Sequence, residues 1–224
     1  MMEIKVLQKI VTNNGNIIEL IKANPQSNSE NCKHKNILFL GVTHGEEPQG
    51  KYLIEKFIHK IKTENLFFKN NLYFISCLNP DGMAEGKRGN SNNVDLNRNF
   101  PTKNYQITVF DDGTTSGEKA NSEKETRFLS SLIESIKFDA ILSFHAPFAI
   151  VNYDGNAKDI AQEISNITGY PLQADIGYPT PGSFGTFCGV ERNIPIITLE
   201  VSDKLSNEQL WQQNEKVFSF FANL

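Results

Sequence analysis

The chain has 224 residues and a formal net charge of −4 at pH 7, which suits one α/β domain spanning residues 1–224. The mild charge and the lack of a Lys/Arg stripe argue against a nucleic-acid-binding protein. No apolar run approaches the roughly 20 residues of a membrane span, and the N-terminal segment lacks the apolar core of a signal peptide. Cys32, Cys77 and Cys188 are scattered, and two of them lie in apolar surroundings, so buried thiols are expected and not a disulfide framework. We therefore expect a soluble protein of the reducing cytoplasm that does not associate with membranes.

The first half of the chain has the pattern of strands and one helix. After an N-terminal strand pair and the polar connection 24–36, the run NILFLGV (36–42) is apolar without alternation, as in a strand buried on both faces. Pro48 suits the first turn of a helix. The apolar stripe of this helix comprises Leu53, Phe57, Ile58 and Ile61. A second strand is predicted at NLYFISCL (71–78).

A long polar segment, residues 79–120, follows that strand. It contains many turn residues and little apolar periodicity. Loops longer than about 12–15 residues without secondary structure are usually functional or disordered. The embedded motif VDLNRNF (94–100) favours a functional loop.

The segment SEKETRFLSSLIESI (122–136) predicts the next helix. Ser122 and Glu125 have the spacing of a capping box at its start. The apolar stripe of this helix comprises Phe128, Leu129, Leu132, Ile133 and Ile136.

Strands and helices continue to alternate to the end of the chain. The predicted strands are DAILSFH (139–145), AIVNY (149–153) and IPIITLEV (194–201). The predicted helices are AKDIAQEISNIT (157–168) and NEQLWQQNEKVFSFF (207–221), the latter with Leu210, Val217, Phe218 and Phe221 facing inward. This alternation predicts an α/β/α sandwich around a mixed, mostly parallel central sheet.

Ionisable side chains coincide with the ends of three predicted strands. Ligands of open α/β sheets bind beyond the carboxyl ends of the strands, and His44, His145 and Glu200 each fall at or near such an end. Glu47 follows His44 by three residues. Two histidines and one glutamate, with one position left open, form a standard ligand set of catalytic zinc. From spacing alone, ordinary structural roles stay equally open, such as a favourable charge near a helix N-terminus for Glu47.

Five motifs strengthen the metal interpretation through a resemblance. THGEE, NPDG, RGNSNNVDLNRNFP, SFHAP and TLE occur in this order and resemble the zinc metallocarboxypeptidase family across residues 36–201. Within that family, GYPTPGSFGTF (177–187) and SFHAP resemble the short bacterial murein peptide amidases. The resemblance implies a zinc-carboxypeptidase-like α/β/α fold and a hydrolytic enzyme.

The resemblance implies a role for each matching residue around the metal. His44, Glu47 and His145 match the ligands of one zinc ion per chain. Glu200 matches the general base that deprotonates the attacking water. Arg88 matches the arginine that polarises the scissile carbonyl and holds the oxyanion.

The resemblance also implies residues that bind the substrate. Asn97 and Arg98 match the pair that binds a free carboxylate, and the planar guanidinium of arginine suits that group. Tyr178 matches the tyrosine of the family's mobile flap, although the neighbouring prolines depart from the usual pattern. Near that segment, Asp175 and Ser183 are candidates for reading the far end of diaminopimelate.

Three further polar residues have ordinary interpretations. Asp95 is expected to organise its loop through backbone hydrogen bonds. His34 and His59 are expected at the surface, the latter on the polar side of the first helix.

The expected function is hydrolysis of the bond between γ-D-glutamate and meso-diaminopimelate in a murein tripeptide, during recycling of cell-wall fragments. The alternatives are a deacylase of the aspartoacylase type, a general carboxypeptidase and a carboxylate-binding module without catalysis. The sequence leaves the exact substrate, the physiological metal and the oligomeric state open.

Overall fold

The computed structural model describes residues 4–25, 33–64 and 66–224. Within these ranges, one mixed sheet contains eight strands in the spatial order β1-β2-β4-β3-β5-β8-β6-β7. The strands are β1 (Ile4–Val11), β2 (Ile17–Ala23), β3 (Asn36–Leu40), β4 (Asn71–Ile75), β5 (Ala140–His145), β6 (Ile150–Asp154), β7 (Leu172–Gln173) and β8 (Ile196–Glu200). The α-helices are α1 (Gln49–Thr63), α2 (Pro80–Glu85), α3 (Lys124–Ser135), α4 (Lys158–Thr168) and α5 (Asn207–Ala222).

The centre of the sheet is parallel, as predicted. β3 pairs in parallel with β4 on one side and with β5 on the other, and β5 pairs in parallel with β8. Antiparallel pairs flank this centre, with β1 on β2, β2 on β4, and β6 on β8. The carboxyl ends of β3, β5 and β8 therefore meet at one edge of the sheet.

Two hydrophobic cores cover the two faces of the sheet, which gives the predicted sandwich. Along β3, Ile37 and Phe39 belong to one core while Leu38 and Leu40 belong to the other, because successive strand residues point to opposite faces. Helices α1, α4 and α5 close the first core. Helix α3 and the segment 184–188 close the second core.

Phe39 joins the first core through aromatic contacts. Its ring centroid lies between 5.2 and 5.8 Å from those of Phe57, Phe74, Phe218 and Phe221, which belong to α1, β4 and α5. Aromatic pairs at these separations stabilise beyond the area that they bury. The fully buried Phe39 side chain thus holds two helices against the central strands.

The expected capping box at the start of α3 is wrong. The helix begins at Lys124, with Glu123 at the N-cap and no side-chain cap. Ser122 Oγ donates to Glu123 Oε1, while Glu125 Oε2 accepts from the Asn90 side chain, 35 residues away in sequence. The Glu125 carboxylate, which the local motif assigned to the cap, therefore binds Asn90 in a tertiary contact.

The long segment 79–120 contains more regular structure than expected. Asn79 caps α2 by accepting a hydrogen bond on Oδ1 from the backbone N–H of Gly82. Gly86 ends the helix with φ 64°, in the left-handed region that glycine adopts without strain. A short 3₁₀ turn, Leu96–Arg98, follows later in the segment.

The cysteines described by the structure are free and buried, as expected for Cys77 and Cys188. Burial raises the pKa of the Cys77 thiol to about 12, so the reactive thiolate form is suppressed. The expectation for Cys32 lies outside the described residues. Among the helices of the described ranges, none has the length and apolar character to cross a membrane.

Replacing Phe39 by alanine should lower the free energy of unfolding by about 3–5 kcal/mol, because it leaves a cavity among four aromatic rings. Phe67→Ala is the matched control, since Phe67 is 67% exposed, and should change stability by less than about 0.5 kcal/mol. Denaturant unfolding monitored by circular dichroism measures both. Equal losses in the two variants would contradict the central role of Phe39.

Candidate metal and substrate site

A tight backbone contact fixes the turn that carries His44 and Glu47. The turn lies between β3 and α1, and a Cβ at Gly45 would lie 2.1 Å from the carbonyl carbon of Gly82 in α2. Only glycine permits that approach. The Gly45 N–H also donates to the Arg88 carbonyl oxygen. The turn is therefore held directly against the loop that follows α2.

His44, Glu47 and His145 converge at the edge where the parallel strands end. Glu47 Oε1 lies 2.8 Å from His44 Nδ1, and Glu47 Oε2 lies 2.9 Å from His145 Nδ1. The two Nδ1 atoms are 3.3 Å apart. All three side chains are buried, and their ligand atoms lie within 4.8 Å of one another.

This donor set fits a divalent metal such as zinc. Two nitrogens on a tetrahedral zinc with bonds of about 2.0–2.1 Å lie roughly 3.3 Å apart, the separation of the two Nδ1 atoms. His44 and His145 both direct Nδ1 toward Glu47. Two imidazoles and one carboxylate leave a coordination position open, as catalytic sites require.

Asp95 links the cluster of His44, Glu47 and His145 to the long segment 79–120. Its Oδ1 lies 3.1 Å from His44 Nε2 and accepts from the backbone N–H of Asn97. Its Oδ2 accepts from Arg88 Nε at 3.0 Å. A carboxylate on the far nitrogen fixes the tautomer and orientation of a ligating histidine. The expected backbone role of Asp95 is confirmed, and its contact with His44 is an addition that the sequence did not reveal.

Charges around His44 make the cluster a site for cations. Burial lowers the pKa of His44, but the carboxylates of Glu47 and Asp95 outweigh it and raise the pKa to about 9. Although burial raises the pKa of Glu47 and of Asp95, the neighbouring positive groups hold both well below the ordinary value. Two buried carboxylates thus remain ionised around the imidazole, and a metal would compete with a proton for His44.

Glu200 lies beside the cluster with one oxygen free. It pairs with His145 in the register of β5 and β8. Its Oε2 is buried and has no hydrogen-bond partner in the described part of the chain. Burial raises the pKa of Glu200 above its usual value. A buried carboxylate of raised pKa next to a metal-type cluster is suited to accept a proton.

Arg98 is a buried cation without an acidic partner. Its side chain is 7% exposed, and its Nη1 donates only to the neighbouring carbonyl oxygen of Asn97. In the described ranges, no carboxylate lies within 4.0 Å of its guanidinium. A buried charge is costly unless it is paired, so this guanidinium is suited to bind an anion.

Asn97 presents a donor beside Arg98. Its Oδ1 accepts a hydrogen bond of 2.9 Å from the backbone N–H of Phe184. That contact leaves the amide NH₂ group as the end that can donate to a ligand. The pair therefore combines a charge with a hydrogen-bond donor.

One cavity of about 660 Å³ is lined by the eight residues that the sequence assigned to the metal, to catalysis, to the substrate carboxylate and to the flap. These are His44, Glu47, Arg88, Asn97, Arg98, His145, Tyr178 and Glu200. Tyr178 is 49% exposed, so it stands at the rim. His59 is exposed on α1, as expected, and His34 is half-buried.

Of the two residues expected to read the far end of diaminopimelate, only Ser183 lines the cavity. Asp175 is exposed and does not line the cavity; its Oδ1 accepts from the backbone N–H of Gly177, which ties it to its own turn. Ser183 does line the cavity, but its hydroxyl bonds to Thr180 and Thr186. The cavity instead contains Asp154 at the end of β6.

The comparison with protein families gives one match over most of the chain. The model of the zinc carboxypeptidase family matches residues 4–204. Murein peptide amidase A of Escherichia coli (strain K12) is 34% identical over 198 residues, covering 84% of this chain and 78% of the relative. Murein peptide amidase A of Vibrio campbellii is 36% identical over 175 residues, covering 73% and 68%.

Solved structures share the fold. Murein-tripeptide amidase MpaA from Escherichia coli O157 superimposes with a TM-score of 0.77 and 26% identity, covering 99% of this chain and 92% of its own. Carboxypeptidase A from Helicoverpa armigera has a TM-score of 0.76 at 15% identity, covering 99% and 68%. The second likeness concerns the fold alone.

His145→Ala should leave the purified protein nearly free of zinc, because it removes one of three ligands from a preformed cluster. His59→Ala changes an exposed histidine and should keep the zinc content of the unmodified protein. Elemental analysis after dialysis, with protein concentration measured in parallel, gives the stoichiometry. Full zinc occupancy in His145→Ala would exclude His145 as a ligand.

Proposed function

The chain belongs to the zinc carboxypeptidase family, and we propose that it hydrolyses the bond between γ-D-glutamate and meso-diaminopimelate in murein peptides. The observation that carries this proposal is the shared cavity, in which a metal-type cluster stands beside an unpaired buried Arg98. Such a cavity suits an amide bond next to a free carboxylate. The identity of 34–36% to murein peptide amidases supports the substrate class.

We propose that His44, Glu47 and His145 hold one zinc ion per chain. When bound, zinc lowers the pKa of water and polarises carbonyl groups. Asp95 keeps the proton of His44 on Nε2 and so leaves Nδ1 for the metal. The 3.3 Å between the Nδ1 atoms of His44 and His145 matches the separation of two nitrogen ligands on one tetrahedral zinc ion.

Glu200 moves the proton in this proposal. Its unpartnered Oε2 takes a proton from the attacking water and then delivers it to the amine that leaves. The pKa, raised by burial, makes the carboxylate a stronger base than an exposed glutamate. Because Glu200 faces His145 across the strand pair, the base stands next to the reacting carbonyl.

Arg88 stabilises the negative charge that develops on the carbonyl oxygen. Asp95 Oδ2 lies 3.0 Å from Nε and 2.9 Å from Nη2 of Arg88. These two contacts fix the plane of the guanidinium. Nη1 is 3.6 Å or more from the carboxylates of Glu46 and Glu47, so it keeps donors for an oxyanion. The pairing with Asp95 orients the group without consuming all of its donors.

Arg98 and Asn97 position the substrate by its free carboxylate. The guanidinium offers parallel N–H donors and the amide NH₂ of Asn97 adds one more. Tyr178, at the rim of the cavity, covers the bound peptide as a flap residue. Together they exclude water and hold the scissile amide against Glu200.

The cellular role in this proposal is recycling of wall fragments in the cytoplasm. Cys77 and Cys188 are free thiols, which agrees with a reducing compartment. The complete set of metal-type ligands and Glu200 gives no support to a carboxylate-binding module without catalysis.

Glu200→Gln should lower kcat by at least about 10²-fold while zinc stays bound, because the amide keeps the shape of the side chain and removes the base. Glu118→Gln, at an exposed glutamate, is the control and should behave like the unmodified enzyme. Release of diaminopimelate from L-Ala-γ-D-Glu-meso-diaminopimelate is followed by mass spectrometry. Near-normal turnover in Glu200→Gln would remove it from the mechanism.

Amidation of the carboxylate beside the scissile bond should lower kcat/KM of the tripeptide by about 10²-fold or more, since Arg98 then stays buried without an anion. In Arg98→Gln the same amidation should have little effect, because the buried charge is gone. Comparing free acid and amide in both enzymes isolates the interaction. An amide cleaved as fast as the free acid by the unmodified enzyme would contradict the carboxylate site.

A further inference from the structure

Gln49 is a polar side chain of the cavity wall that the proposed mechanism does not use. It is the first residue of α1 and lines the cavity. Its Oε1 atom is buried and has no hydrogen-bond partner, and neither end of its amide forms a hydrogen bond to another described residue. A buried amide without hydrogen bonds is costly, so the position suits a residue that binds a ligand.

Close packing fixes where Gln49 lies. A Cβ at the next residue, Gly50, would lie 2.7 Å from Phe144 Cβ and 3.1 Å from Gly41 Cα. Gly41 directly follows β3, and Phe144 is the second-to-last residue of β5. The start of α1 is therefore pressed against the ends of the two strands beside the metal-type cluster.

Gln49 and Arg98 lie on different sides of that cluster. Helix α1 closes the first core. Leu96 and Phe100, which lie two residues before and after Arg98, belong to the second core on the other face of the sheet. The cavity extends to both Gln49 and Arg98. A substrate whose carboxylate is held by Arg98 therefore directs the acyl group beyond the scissile bond toward Gln49.

The acyl group of the proposed substrate carries two neighbouring polar groups. Because D-glutamate is linked through its γ-carboxyl group, its N–H and its free α-carboxylate stay on one carbon atom. That carbon is three bonds, about 4 Å, from the scissile carbonyl carbon. In an α-linked residue the corresponding carboxyl group is the scissile carbonyl itself, so this pair of groups does not exist.

A primary amide complements such a pair. Its oxygen accepts hydrogen bonds and its NH₂ group donates them. Because neither end of the Gln49 amide is bonded within the described ranges, rotation about its terminal torsion can direct each end to its partner. Gln49 also follows Glu47 by only two residues, so its side chain stands next to the proposed reacting centre.

We propose that Gln49 determines specificity for a γ-linked glutamyl group, with Oε1 accepting from the glutamyl N–H and Nε2 donating to the α-carboxylate. The proposal rests on the proposed function, in which that N–H belongs to the bond between L-alanine and D-glutamate. Gln49 acts in binding and not in the chemical step. Substrates with a γ-linked glutamyl group are favoured because they satisfy both ends of the amide.

The test compares three substrates that share a terminal meso-diaminopimelate. The first is L-Ala-γ-D-Glu-meso-diaminopimelate, and the second has CH₂ in place of the N–H between alanine and glutamate. The third is glutaryl-meso-diaminopimelate, which lacks both polar groups. The unmodified enzyme should cleave the second with about 10-fold lower kcat/KM than the first, since Gln49 loses one partner, and the third should lose more. The losses should appear in KM, because the contact forms before the reaction.

Gln49→Met keeps the length of the side chain and removes the amide. Its kcat/KM on the tripeptide should fall about 10-fold or more, and its discrimination among the three substrates should nearly vanish. Its zinc content and melting temperature should match those of the unmodified protein. Gln212→Met, at an exposed glutamine of α5 outside the cavity, is the matched control and should preserve the discrimination.

Two results would overturn the role of Gln49 and leave the proposed function intact. One is equal cleavage of the tripeptide and its CH₂ analogue by the unmodified enzyme, a comparison that needs no variant. The other is a Gln49→Met enzyme that keeps the discrimination, or that loses the same factor on all three substrates, as a merely structural role would require.

A binding measurement decides the case in which no tripeptide is cleaved and the murein assignment fails. The zinc-loaded protein is heated with L-alanyl-D-glutamate or with its CH₂ analogue. If the dipeptide raises the melting temperature more than the analogue does, and Gln49→Met abolishes the difference, the Gln49 site stands on its own. Equal shifts with the two ligands, or a difference that Gln49→Met retains, would overturn it.

Discussion

Parallel pairing of β3, β5 and β8 is the constraint on which the site depends. It brings the turn after β3, His145 and Glu200 to one edge of the sheet, although they are distant in sequence. The cores on both faces keep those strands in place, and the contact of Gly45 with Gly82 fixes the remaining turn. The two hydrophobic cores thus position buried polar side chains, which cost free energy to bury without partners.

Electrostatics inside the cavity follows from which charges are paired and which are not. Asp95 balances His44 and Arg88 within the protein, so that network is satisfied before any ligand arrives. Arg98, by contrast, has no carboxylate within 4.0 Å of its guanidinium among the described residues. A cation left open in the cavity suits the free carboxylate of the proposed substrate, and the low dielectric strengthens that contact.

The main strands and helices of this fold follow from local patterns, since unbroken apolar runs and helical stripes are properties of short segments. Helix α2 lies in a polar segment where no such pattern predicted it. The sequence also predicts the pairing of His44 with Glu47, because both residues lie in one turn. The contact of Asp95 with His44 spans 51 residues, and no local pattern encodes it. Asp154 directly follows the predicted strand 149–153, and only the observed strand β6 places it on the same face as Asn152.

The antiparallel pairing of β6 with β8 has a consequence for how such a pocket could change. Because side chains alternate, a slip of one residue would turn Asp154 away from the cavity and present Tyr153 in its place. A slip of that kind would therefore exchange all the side chains that β6 supplies to the cavity at once. New specificities in this scaffold should arise by replacement of single side chains, or by length changes in steps of two.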